Sequence, residues 1–68
     1  MRTERWYQKR LSNYFMEHYA HYEDDHDIGW YNNPAPNVWK FTIPHLRRLI
    51  VLICNDDGCV NEQVYKIM

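Results

Sequence analysis

Thr3 to Tyr22 carries the most regular hydrophobic pattern in the chain. Tyr7, Leu11, Tyr14, Phe15, His18 and Tyr22 recur at spacings of three and four, which puts them on one face of a helix. Thr3 stands where an N-cap is needed, Glu4 follows in the first turn, and no Gly or Pro interrupts the stretch. Trp6, Met16 and Tyr19 fall beside the narrow stripe and widen it. The next stretch, Glu23 to Asn37, changes character. Gly29, Asn32, Asn33, Pro34 and Pro36 follow in close succession, and this composition predicts a connecting loop.

Beyond the loop the pattern becomes ambiguous. Val38 to Ile43 alternates, placing Trp39, Phe41 and Ile43 on one side if the backbone is extended. Leu49 to Cys54 contains no polar residue, so it has to lie at the centre of a core or of an interface. Read as a helix, the segment takes Thr42 as N-cap and Pro44 in its first turn, with Phe41 and Leu46 as a hydrophobic staple. Read as a strand, it is a β-branched run followed by Asn55-Asp56-Asp57-Gly58, a good hairpin turn. The final segment favours helix: Val60, Val64, Ile67 and Met68 follow helical spacing. Asn61 can cap, Val60 and Tyr65 can form a second staple, and Gly58 can end the preceding helix.

The pattern therefore predicts a mainly α fold. It is a single domain, residues 1–68, with helices over about 3–22, 43–54 and 61–68 and a long Pro/Asn loop. The alternative is α+β: the first helix packed on a three-stranded antiparallel meander over about 38–43, 47–54 and 59–67.

Length sharpens this. Sixty-eight residues give a marginal core, and domains of this size are commonly helped by a metal, a disulfide or a partner chain. Two cysteines allow at most one bridge. The charged start, MRTERWYQKR, is unlike a signal peptide, and the longest apolar run is too short to cross a bilayer. A cytoplasmic protein with reduced thiols and no membrane partner is expected. The net charge of −1 argues against general attraction to nucleic acid. Three Trp, six Tyr and two Phe are a large aromatic share for this length, suited to a core or to an interface.

Charge along the first helix opposes its dipole. Arg2, Arg5, Lys9 and Arg10 crowd its start, while Glu17, Glu23, Asp24, Asp25 and Asp27 crowd its end. Two copies laid antiparallel would relieve both mismatches, and the run around Val51 is apolar on every side. A homodimer follows as an expectation, with Arg5, Lys9, Arg10, Glu17, Asp24 and Val51 as its self-association residues.

Candidate chemistry is sparse. His18 and His21, one helical turn apart, with Cys54 and Cys59 across a turn, could form a structural zinc site; no other cofactor is implied. The C-x4-C spacing is looser than the usual zinc pair. The acidic run Glu23–Asp27 is contiguous, so its carboxylates splay apart where hydrolytic metal sites need convergence. No nucleophile setting or phosphate loop is present, and an enzyme is not expected. The expected function is that of a small regulatory or inhibitory protein that binds another protein through an aromatic/arginine surface. Trp6, Trp30, Tyr31 and Arg47 are the candidates, since none has an assured place on an inner helix face. By analogy alone, phages and mobile elements encode many proteins of this kind. The alternative function is a DNA-binding or zinc-stabilised regulator acting as a dimer, favoured if Arg47 and Arg48 cluster with the basic start of the helix.

Overall fold

A computed structural model describes residues 2–19 and 28–67. One helix, α1 (Glu4–Tyr19), packs on one face of a four-stranded antiparallel sheet. The strands are β1 (Tyr31–Ala35), β2 (Val38–Ile43), β3 (Arg48–Cys54) and β4 (Val60–Lys66), in spatial order 1-2-3-4. The three-helix expectation is thus overturned, and the α+β alternative holds with one strand more than it contained.

The first helix forms as its pattern predicts. The Thr3 hydroxyl accepts from the Trp6 N–H at 3.2 Å, the geometry of an N-cap serving the third helical residue. Tyr7, Leu11 and Tyr19 are buried, with Trp6, Tyr14 and Phe15 packed partly beneath them. His18, expected on the inner face, is exposed and lies on the Tyr14 ring at a centroid distance of 4.1 Å. Tyr19 takes the inner place instead, meeting Phe41 edge-on at 5.2 Å. Residues 20–22 of the predicted helix lie outside the described residues.

The second predicted helix fails at its start. Ile43, not Thr42, precedes the turn, in an extended conformation with no side-chain cap. Pro44–Leu46 makes a single 3₁₀ turn, closed by the Arg47 N–H donating to Pro44 O at 3.0 Å. Arg47 sits in the left-handed region at φ 53°, and this reverses the chain into β3. Ile50, Val51 and Ile53 favour extended backbone, and β3 has a hydrogen-bonding partner strand on each side, β2 and β4. Intrinsic preference and sheet pairing act together there, and the helical spacing loses.

The third predicted helix is β4. Asn55 O accepts from the Gly58 N–H at 3.0 Å and the Asn55 N–H donates to Cys59 O at 2.8 Å, closing a tight hairpin. Gly58, at φ 92°, serves that turn and ends no helix. Asn61 is a strand residue, and Val60 and Tyr65 form no staple. β1 was expected to be loop. Its Pro34 is tolerated because β1 is an edge strand, and its register with β2 slips between Asn32 and Ala35.

Alternation then divides the sheet into two faces. Phe41, Ile43, Ile50, Leu52 and Cys54 turn toward α1 and form the core with Tyr7, Leu11 and Tyr19. Val38, Leu49, Val51 and Ile53 turn to the other face, where no described element covers them. Val51 is nevertheless only 6% exposed, shielded by the strands on either side. Among the described residues, no helix is long and apolar enough to cross a membrane.

Candidate binding site

The start of α1 is tied to the hairpin turns at one end of the sheet. Gln8 Nε2 donates to Pro36 O at 2.7 Å, and Trp39 Nε1 donates to Gln8 Oε1 at 2.7 Å, fixing the helix against the β1–β2 turn. Arg2 Nε donates to Asp56 O at 3.2 Å, and the Tyr7 hydroxyl donates to Asp56 Oδ1, fixing it against the β3–β4 turn. Asn37 joins the two turns: Nδ2 donates to Cys54 O at 3.2 Å and its carbonyl accepts from the Cys54 N–H at 2.8 Å. Between them lies an open cleft of about 270 Å³ lined by Arg2, Tyr7, Pro36, Asn37 and Asp56.

Trp6 does not line this cleft but touches two residues that do, Arg2 and Tyr7. The Arg2 and Arg10 guanidinium carbons lie 4.8 and 5.0 Å from its ring centre, so two cations one helical turn away on either side hold the indole. Its ring meets Tyr7 edge-on at 5.4 Å. Arg10 also lies along the Gly58 backbone. The hydrogen bond to Asp56 raises the Tyr7 pKa above the ordinary tyrosine value. Burial, with the Glu62 charge beside it, raises that of Tyr14.

The four residues expected to bind a partner do not form one surface. Trp6 is at the cleft end. Trp30 is exposed beside Thr42, where its N–H donates to the Thr42 hydroxyl at 2.7 Å, and Arg47 is in the β2–β3 turn at the opposite end. Tyr31, also exposed, packs edge-on to Trp39 at 5.8 Å on the β1 margin. Arg47 and Arg48 are likewise separated from the basic start of α1 by the length of β3, about 20 Å. The single basic face on which a DNA-binding surface was conditioned is therefore split.

Of the self-association set, Arg5, Lys9 and Glu17 are exposed on α1, Arg10 is engaged with Trp6 and the β3–β4 turn, and Val51 is shielded at the centre of the uncovered sheet face. Asp24 lies outside the described residues, as do His21 and the acidic run 23–27. The rest of the proposed zinc set does not converge: Cys54 and Cys59 flank the turn beside Arg10, and His18 is eight residues, about 12 Å, further along α1. Among the described residues no group of three His, Cys, Asp or Glu side chains is placed to hold a metal. Burial raises the Cys54 thiol pKa, while Cys59 is exposed.

Sequence reasoning missed Arg2, Tyr7, Asn37 and Asp56 as neighbours. The strand interpretation of Asn55–Gly58 was the signal that could have brought Asp56 to the helix start. No family model, curated protein or solved structure matches the chain.

Proposed function

We propose that this protein is a small non-enzymatic regulator that acts by binding another protein at the cleft end of α1. The carrying observation is Trp6 held between Arg2 and Arg10 next to the cleft that Arg2 lines. Tryptophan and arginine are the residues on which binding energy most often concentrates, and here their rotamers are already restricted before a partner arrives. Arg5 and Lys9 continue the cationic surface along the exposed side of α1. The partner chemistry that fits is an acidic segment with an apolar side chain, its carboxylates facing Arg2, Arg5 and Lys9 and its apolar group between Tyr7 and Pro36.

A second reading, a nucleic-acid-binding regulator acting as a dimer, is favoured by Arg2 just before α1 and by Arg5, Lys9 and Arg10 in its first half. Against it, Asp56 and Asp57 stand in the turn that Arg2 and Arg10 touch, and Trp6 is already occupied by guanidinium groups rather than free to stack on bases. The test pairs wild type with Trp6→Ala and with Arg5→Glu/Lys9→Glu. Proteins captured from the source lysate are identified, purified and titrated against all three. A partner bound at least tenfold more weakly by both variants, with their folding retained, supports the proposal; equal affinity for all three refutes it. A generic DNA duplex titrated by fluorescence anisotropy is the second arm. Saturable, salt-sensitive binding lost in the charge-reversed variant would replace the protein partner with nucleic acid.

A further inference from the structure

The two edges of the sheet are unequal. β1 is blunted: Pro34 lacks an N–H, the register slips, and Asn33 Nδ2 donates into the strand ends at Ala35 O (3.0 Å) and Val38 O (2.7 Å). β4 has none of these devices over its length from Val60 to Lys66, and among the described residues it pairs with β3 alone. Three of the chain's exposed large apolar residues lie on or just after it: Val64 is 54%, Tyr65 50% and Ile67 37% exposed.

Hydrogen-bond parity fixes which groups of β4 face outward. The Ile67 N–H donates to Arg47 O at 2.8 Å, and the Asn55 N–H donates to Cys59 O at 2.8 Å. The pairs Leu49–Tyr65, Val51–Gln63 and Ile53–Asn61 fall between these at two-residue intervals. The odd-numbered residues of β4 therefore turn their backbone groups to β3, and Val60, Glu62, Val64 and Lys66 turn theirs to the open edge.

A second copy of the chain fits this edge. Every antiparallel two-fold pairing centred on a residue of β4 matches outward groups with outward groups, and the three centred nearest its middle overlap most. With Glu62 on the axis, like charges meet. With Gln63 on the axis, Glu62 faces Val64 and Lys66 faces Val60 of the other copy. With Val64 on the axis, each Glu62 faces the other copy's Lys66, Val64 meets Val64, and Gln63 faces Tyr65. Opposite charges directly across an antiparallel pair stabilise it, and like charges destabilise it. We infer that two copies of this chain join through β4, antiparallel, with Val64 on the two-fold axis, forming a continuous eight-stranded sheet. The union closes about six backbone hydrogen bonds. The axis stands normal to the sheet, so both helices lie on one face and run antiparallel, each basic start directed opposite to the other's. The inference is independent of the protein partner proposed above.

Charge exchange across the axis is the test. In Glu62→Lys both facing positions are cationic, and in Lys66→Glu both are anionic. Each variant alone is expected to dimerise at least tenfold more weakly than wild type. An equimolar mixture restores opposite charges at both positions, so a mixed dimer is expected at wild-type strength, read by native mass spectrometry and by light scattering coupled to size exclusion. Both positions are exposed, and melting of each variant when dilute verifies folding. A monomeric wild type at about 100 μM overturns the inference. So does a variant that dimerises alone as tightly as wild type, or a mixture that stays monomeric.

Discussion

Replacing Val51 by alanine separates the sheet from its helical rival by the sign of the effect. In the sheet, Val51 is on the central strand β3, 6% exposed and flanked by Lys40 on β2 and Gln63 on β4. The substitution removes two buried carbons, a loss of about 1.6 kcal/mol at about 0.8 kcal/mol each. Loss of β-branching on a central strand adds a few tenths, so about 2 kcal/mol is expected in total. For a domain of this size, 1 kcal/mol corresponds to about 4–8 °C in Tm, and the variant should melt about 8–16 °C lower. Had residues 43–54 been a helix, Val51 would lie one turn beyond Arg47 on the solvent side. Alanine would then stabilise by about 0.5 kcal/mol through helix propensity. Thermal and urea denaturation followed by circular dichroism, at concentrations low enough to keep the chain monomeric, gives the answer. An unchanged or raised Tm would refute the burial argument.

Other outcomes follow from single contacts. Gly58→Ala should destabilise by about 1 kcal/mol or more, because φ is 92° and the added Cβ would sit 3.3 Å from the Arg10 guanidinium; urea midpoints measure it. Tyr7 has a folded-state pKa above its unfolded value, so its contribution is complete below about pH 10 and is lost as pH rises through the folded value. Tyr7→Phe should therefore flatten the decline of stability as pH rises above about 10, leaving the part due to Tyr14, whose pKa is raised as well. In native protein, iodoacetamide should modify Cys59 and spare Cys54, with both reacting in denaturant, as peptide mapping would reveal.

What was legible in the sequence depended on how much of each pattern the fold itself enforces. The first helix was legible because one buried face imposes a period on many residues, from Tyr7 to Tyr19, and Thr3 marks its start. β3 was visible as a core run but not as a strand, since its residues are apolar on both faces and so display no period. β4 misled because an exposed edge strand constrains neither face. Its apolar residues fell at helical spacing by coincidence, and Asn61 resembled a cap while serving as a strand residue. β1 was hidden by Pro34 and two asparagines, which are compatible with an edge but spell loop. The cleft could not be read at all. It joins Arg2 to Asp56 across most of the chain, and only the meander brings them together.

Residue-resolved amide exchange along β4 tests the central claim most directly. In dilute solution the Asn61, Gln63, Tyr65 and Ile67 amides, which face β3, should exchange slowly, while those of Glu62, Val64 and Lys66 exchange fast. Raising the concentration should slow the second set and leave the first unchanged, because the second copy closes only the outward groups. Uniform protection of consecutive residues at every concentration would restore a helix there. Fast exchange at Glu62, Val64 and Lys66 in a sample shown to be dimeric would place the dimer contact elsewhere.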